Sequence, residues 1–149
     1  PPAVVERALS YAAAQGVVVV GIAGNEANPE VLYPGKYPTV LAVSATDATD
    51  GLAPFSSWGP EVAVAAPGHE VASSSPEVAP PELGDSFAAP HVAGTIALIL
   101  SADPSLTASE AVDILLESST PLAEGCDPRF GAGLVDAGAA VATASAAGR

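Results

Sequence analysis

The run "VVVVGIAGNE", residues 17–26, is the strongest constraint on what this chain can fold into. Four successive valines favour an extended backbone, and no polar residue alternates with them. A half-exposed strand would alternate. An unbroken apolar run reads instead as a strand covered on both faces, as in a parallel sheet. The segment before it agrees. In "PPAVVERALSYAAAQG", Val5, Leu9 and Ala12 recur at helical spacing beside Val4, Ala8 and Tyr11. Pro2 lies near the start and Gly16 just past the end, so an amphipathic helix feeds directly into the strand. "TVLAVSA" (39–45) and "EVAVAAPG" (61–68) read as two further buried strands. The loops between them are rich in Pro, Gly, Asp and Ser.

The second half reads as helical. "SSSPEVAPPELGDS" is a polar, proline-rich loop leading to Ser86. A helix is predicted from there to about Ser101, apolar nearly all round through Phe87, Val92, Ile96, Leu98, Ile99 and Leu100. That pattern marks a central buried helix. Pro90 has no N–H to return to the Ser86 carbonyl, which places Ser86 on a turn at the helix N-terminus. Thr107 and Glu110 form a capping-box pair ahead of Ala108, Val112 and Leu115. "VDAGAAVATASAA" reads as a last, alanine-rich helix. The order helix, three strands, helices gives an α/β chain with a parallel-sheet core. Across its 149 residues there is neither an internal repeat nor a linker that would separate two domains.

Composition narrows the function classes. A hydrophobic content of 49% and a positive mean hydropathy exclude a disordered chain. The net charge is −13, and the only cations are Arg7, Lys36, Arg129 and Arg149. Such a surface repels phosphate backbones, so no nucleic-acid partner is expected. The longest apolar stretch, Val92 to Leu100, is shorter than the ~20 residues of a bilayer span. No membrane span and no targeting signal are expected in this chain. Cys126 stands alone and cannot form a disulfide within it.

Three features could carry chemistry. Ser86 at a helix start would meet free N–H groups and a partial positive charge that favour a developing oxyanion; it also suits an ordinary N-cap. Asn25 directly follows a buried strand, where open parallel sheets form their ligand crevices. It could offer its amide to an oxyanion, or serve as a turn asparagine among glycines. A nucleotide loop fits "GIAGN" poorly, because the G-x-G-x-x-G spacing and a phosphate-binding lysine are both lacking. The histidines are His69 and His91. His91, among apolar neighbours, reads as a packed structural residue, and His69 as an exposed loop residue.

Taken together, "VVVVGIAGNE", "YPGKYPTVLAVSATD", "FSSWGPEVAVAAPG", "GDSFAAPHVAGTIALIL" and "GAGLVDAGAAV" resemble, in order and spacing, the subtilisin-like serine proteases of family S8. The resemblance runs from about residue 3 to 145, and "SFAAP" with the acidic, alanine-rich style is similar to bacterial, mycosin-like members of actinobacteria. It implies a serine endopeptidase acting on peptide or protein substrates, extracellular or in the cell envelope. It implies Ser86 as nucleophile, with Asn25 and the Ser86 backbone N–H as oxyanion donors. Ala23 and Gly24 then match a wall of the pocket for the residue before the scissile bond, and Leu32 its base. The carbonyls of Gly35, Tyr37 and Val40 match a weak structural cation site of some members; no cofactor is required.

The departures are as informative. The family's D-S/T-G aspartate, its H-G-T histidine and its Ser-Leu-Gly substrate strand lie upstream of everything matched here, and none occurs in the chain. Residues 1–149 are therefore expected to be the carboxyl part of one catalytic domain, with the N-terminal half as partner and little activity alone. Without a base a serine hydroxyl is a poor nucleophile. A pseudoprotease, or a peptide-binding or assembly module, is the alternative. Asp85 stands where the family usually has threonine. It is expected either to repel the oxyanion or to point outward and cap the helix.

Overall fold

A computed structural model describes residues 2–72, 83–125 and 127–147. The loop expected over 73–82 and Cys126 lie outside them. The elements are α1 (Ala3–Ala14), β1 (Val19–Ile22), β2 (Val40–Thr46), β3 (Val62–Pro67), α2 (Asp85–Ala102), α3 (Ala108–Ser118) and α4 (Ala137–Ala147). The strands form one parallel sheet in the order β1-β2-β3. Val19 pairs with Val40 and Val43 with Val64, with a register irregularity at Ala42/Val43.

α2 lies across all three strands, and α3 and α4 pack on α2. The main core fills this space: Val43, Ala45, Val64 and Ala66 from the sheet, Ala88, Val92, Ile96 and Ile99 from α2, Leu115 and Ala140 from the outer helices. Alanines at the sheet–helix contact let the helix approach closely. Ala23, Val31, Ala42 and Val62 make a smaller cluster. The outer edge of β3 is closed by residues 131–135, through Ala65 N–H to the Gly133 carbonyl (2.8 Å) and Val135 N–H to the Ala65 carbonyl (2.9 Å). The Thr107–Glu110 capping box is present in both directions.

Three expectations change. α2 begins one residue earlier than predicted, with Gly84 as N-cap, so Ser86 lies in its first helical turn rather than ahead of it. The Phe87 N–H closes that turn on the Gly84 carbonyl at 2.9 Å, a bond that asks nothing of Pro90. α2 is also not buried all round. Asp85, Ala88, Val92, Thr95, Ile96 and Ile99 are covered, whereas Leu98 is 52% exposed and Pro90, His91 and Gly94 face outward. The reason is that sheet, α3 and α4 cover one side only. By length and composition α2 is the one described helix that could cross a membrane, yet its inner side is built into the core. Last, β1 is not covered on both faces. Only Gly21 is buried there, α1 has no buried residue, and Val4 and Tyr11 are 72% and 69% exposed.

Candidate active site

The site forms where the chain leaves β1 and where α2 begins. Residues 23–27 are a shelf tied down by six backbone hydrogen bonds. Ala23 N–H donates to the Val43 carbonyl (2.8 Å), and Leu32 N–H to the Ala23 carbonyl (2.7 Å). Ser57 N–H donates to the Gly24 carbonyl (2.7 Å), Glu26 N–H to Ser57 Oγ (3.2 Å), and Ala27 N–H to the Phe55 carbonyl (2.9 Å). Such a turn has little freedom left to rearrange.

α2 meets this shelf through Asp85. Its N–H donates to Asn25 Oδ1 at 2.8 Å. An N–H can be met only by the amide oxygen, so this bond fixes which way the Asn25 amide is turned. Its Nδ2 hydrogens are left as an oriented donor pair on an exposed residue. Gly84 lies between the parts, at φ +143°, a backbone state that side chains rarely adopt. A Cβ there would sit 3.7 Å from Ser86 N, 3.7 Å from Asn25 Oδ1 and 3.8 Å from Asn25 Nδ2. The Asn25 amide and the Ser86 backbone nitrogen thus border one small space that the glycine keeps open. Gly84 is itself held by its N–H to the Gly68 carbonyl at 2.9 Å.

Ser86 is exposed beside this space. Neither histidine serves it. His91 is exposed on the outer side of α2, not packed as expected, because among the described residues the sheet, α3 and α4 pack on the other side of the helix; its Nδ1 donates to the Phe87 carbonyl at 2.7 Å. His69 is half-buried rather than exposed, stacked on Phe55 with ring centroids 5.9 Å apart. Ala23, Gly24 and Leu32 do come together: a Cβ on Gly24 would lie 2.9 Å from Leu32 Cγ and Cδ1. The Tyr37 carbonyl accepts the Val40 N–H at 2.9 Å, so one of the three carbonyls matched to a cation is already engaged within the loop. No group of three or more His, Cys, Asp or Glu side chains that could hold a metal is found among the described residues.

Asp85 does not take the outward, helix-capping orientation. Its side chain points inward, is 0% exposed, and accepts the Gly24 N–H on Oδ2 at 3.1 Å. Burial pushes its pKa up to about 7, against the hydrogen bond from Gly24 N–H, which lowers it. Oδ1 has no hydrogen-bond partner. The outward, capping orientation is overturned because the carboxyl fills the junction between the β1 turn, β2 and the 53–59 loop. Ser56 and Ser57, buried in that loop, were not singled out from the sequence. The signal that pointed to them was adjacent serines in "FSSWGP", between two apolar strands.

A parallel sheet crossed by a helix that begins beside the end of β1 defines the α/β class of folds. The chain belongs to the subtilase family, peptidase S8, whose family model matches residues 2–133. It is 38% identical over 141 residues to Subtilisin BL of Lederbergia lenta, covering 94% of this chain and 52% of that protein. It is 41% identical over 140 residues to Subtilisin DY of Bacillus licheniformis, covering 91% and 50%. Among solved structures, a lanthipeptide protease superposes with a TM-score of 0.81 at 26% identity, covering 93% of this chain and 54% of that one. A Pseudoalteromonas arctica protease gives a TM-score of 0.79 at 34% identity, covering 94% and 46%. The chain therefore spans about half the length of each of these four proteins.

Proposed function

We propose that this chain is the carboxyl half of a subtilisin-like catalytic domain that hydrolyses peptide bonds at Ser86. The observation that carries the reading is the convergence of the Asn25 amide and the Ser86 nitrogen on the space beside Gly84. In the reaction, Ser86 Oγ bonds to the scissile carbonyl carbon and its proton passes to a histidine of the upstream half. The carbonyl oxygen becomes an oxyanion between Asn25 Nδ2 and Ser86 N–H. The C–N bond then breaks, the amine leaves with the proton, and water hydrolyses the acyl-serine. Ala23, Gly24 and Leu32 line the pocket for the residue before the cut bond. Backbone carbonyls of Gly35, Tyr37 and Val40 are the seat for a weak structural cation, and no chemical step passes through it. The substrate is a peptide or protein met outside the cell or in its envelope.

The N-terminal half is the partner that would cover what stands open: α1, the outer edge of β1 and the outer side of α2. Fluorophosphonate labelling tests the reading. The chain joined to an upstream segment carrying the D-S/T-G and H-G-T motifs is expected to label at Ser86. The 149-residue chain alone, and the joined protein with Ser86→Ala, are expected not to. Peptide binding by an unlabelled joined protein would overturn the hydrolase reading in favour of a binding module.

A further inference from the structure

The mechanism above leaves Asp85 without a task, although it is a fully buried acid between the two proposed oxyanion donors. It is bonded in both directions to a turn 60 residues away. Its N–H donates to Asn25 Oδ1 (2.8 Å), and its Oδ2 accepts the Gly24 N–H (3.1 Å). This pair of bonds crosses from the start of α2 to the end of β1 and back. One bond orients the Asn25 amide. The other fixes the residue on which Asn25 is carried. A single bond would act as a pivot; two in opposite directions leave no rotation about either.

We propose that Asp85 is a positioning residue that clamps the β1 turn to the first turn of α2, so that Asn25 Nδ2 and Ser86 N–H are held as one preorganised donor pair. The inference rests on the proposed roles of those two donors and assigns the residue that sets their relative geometry. The clamp works with the acid neutral. The groups facing the carboxyl are uncharged: Gly24 N–H from the β1 turn, Ala45 N–H from β2, and Ser56 from the 53–59 loop. None offers a positive charge to balance a buried carboxylate, and Oδ1 has no donor to serve. Ser56 Oγ accepts from Ala45 N–H at 3.0 Å and donates its own hydrogen to the Ser57 carbonyl at 3.1 Å, so all it has left to offer the carboxyl is a lone pair, which a protonated acid can meet and a carboxylate cannot. Burial holds the acid protonated up to about pH 7. Ionisation would put an unbalanced charge at the root of both donors.

The test uses the chain joined to its upstream segment. Asp85→Ala is expected to lower kcat about tenfold or more at pH 6 with KM nearly unchanged, the result of a small displacement of donors that act only on the transition state. Asp85→Asn can accept the Gly24 N–H and donate towards Ser56 without ionising, so it is expected to restore most of that loss. Both proteins should gain activity as the upstream histidine loses its proton, and above about pH 7 the ratio of wild-type kcat to Asp85→Asn kcat should fall. If Asp85→Ala fails to fold, the comparison of wild type with Asp85→Asn decides. An unchanged kcat in Asp85→Ala, an asparagine variant as impaired as the alanine one, or identical alkaline limbs would overturn the proposal. Two readouts do not need activity: the Asp85 carboxyl carbon should titrate near pH 7, and Gly24 N–H exchange should speed up in Asp85→Ala. If the joined protein proves inactive, the protease reading fails and these two alone judge the clamp. A midpoint below pH 5, or unchanged exchange, overturns it.

Discussion

β2 and β1 lie side by side in one sheet and are built from similar residues, yet they live in different surroundings. Six of the seven β2 residues are buried; in β1 only Gly21 is. The β2–β3 side is finished, closed by α2, α3, α4 and the 131–135 segment. The β1–α1 side is open. The difference teaches where the candidate site draws its rigidity. The Gly24–Asn25 shelf sits at the end of the open strand, but its ties run to the finished side, to Val43, Phe55, Ser57 and Asp85. On the proposed reading, the donor pair would be assembled within this chain, while a base and a substrate-binding strand are what the partner half would supply.

The largest effect expected bears on that division. In the joined protein, Ser86→Ala should remove fluorophosphonate labelling and turnover, and the chain alone should show no turnover. Robust hydrolysis by the isolated chain would break the comparison outright. Next, Asn25→Ala should lower kcat ~10²–10³-fold with KM little changed, the loss that removing such a donor causes in a subtilisin. An unchanged kcat would take Asn25 out of the mechanism.

On the finished side, Leu115→Ala removes a fully buried side chain and should destabilise by roughly 2–5 kcal/mol in denaturant unfolding. Asp85 gives that side a pH dependence. Its acid is favoured in the fold, with a pKa near 7 against ~3.9 unfolded, so the native state binds more protons between those values. The stability it confers is complete below about pH 4 and is lost as pH rises through about 7, by up to ~4 kcal/mol. Asp85→Asn should flatten that slope; a wild-type stability that rises across the window would contradict the buried, neutral acid. The smallest effect belongs to the open side. Leu98→Ala should change stability by about 0.5 kcal/mol or less in the isolated chain, since half of the side chain is already in water. It should instead reduce dye binding and self-association, which exposed Val4, Tyr11 and Leu98 favour. A cost for Leu98→Ala as large as for Leu115→Ala would erase the contrast between the two sides.

What could be read from the sequence was what short-range physics controls. The valine run, the flanking Pro2 and Gly16, and the Thr107–Glu110 box each act over a few residues, and the elements they announced are present. Ser86 and Asn25 could be selected because each follows a local signal, a helix start and a strand end. Apolar content misled for α2, since it reports that a helix needs cover and not how much cover its own chain provides. Asp85 was illegible for a different reason. Its environment is made by Gly24, Ala45 and Ser56, all distant in sequence, and a charged letter beside a serine suggests the surface until those segments close around it. His91 failed in the opposite direction, because apolar neighbours in sequence are not neighbours in space on the outer side of a helix.

The β1-β2-β3 order has one more consequence, for assembly. With the far border of β3 already occupied, this sheet can be extended in one direction only, beyond β1, whose outer rim carries backbone donors and acceptors unsatisfied by any described strand. α1 leads straight into that strand, and strand–helix–strand crossovers are right-handed. A strand placed ahead of α1 would therefore arrive parallel to β1 and in the right layer without any rearrangement of the rest. The fold thus behaves as a one-ended template, in which joining is orderly for the correct partner and hazardous for a second copy of the chain offering the same bare rim.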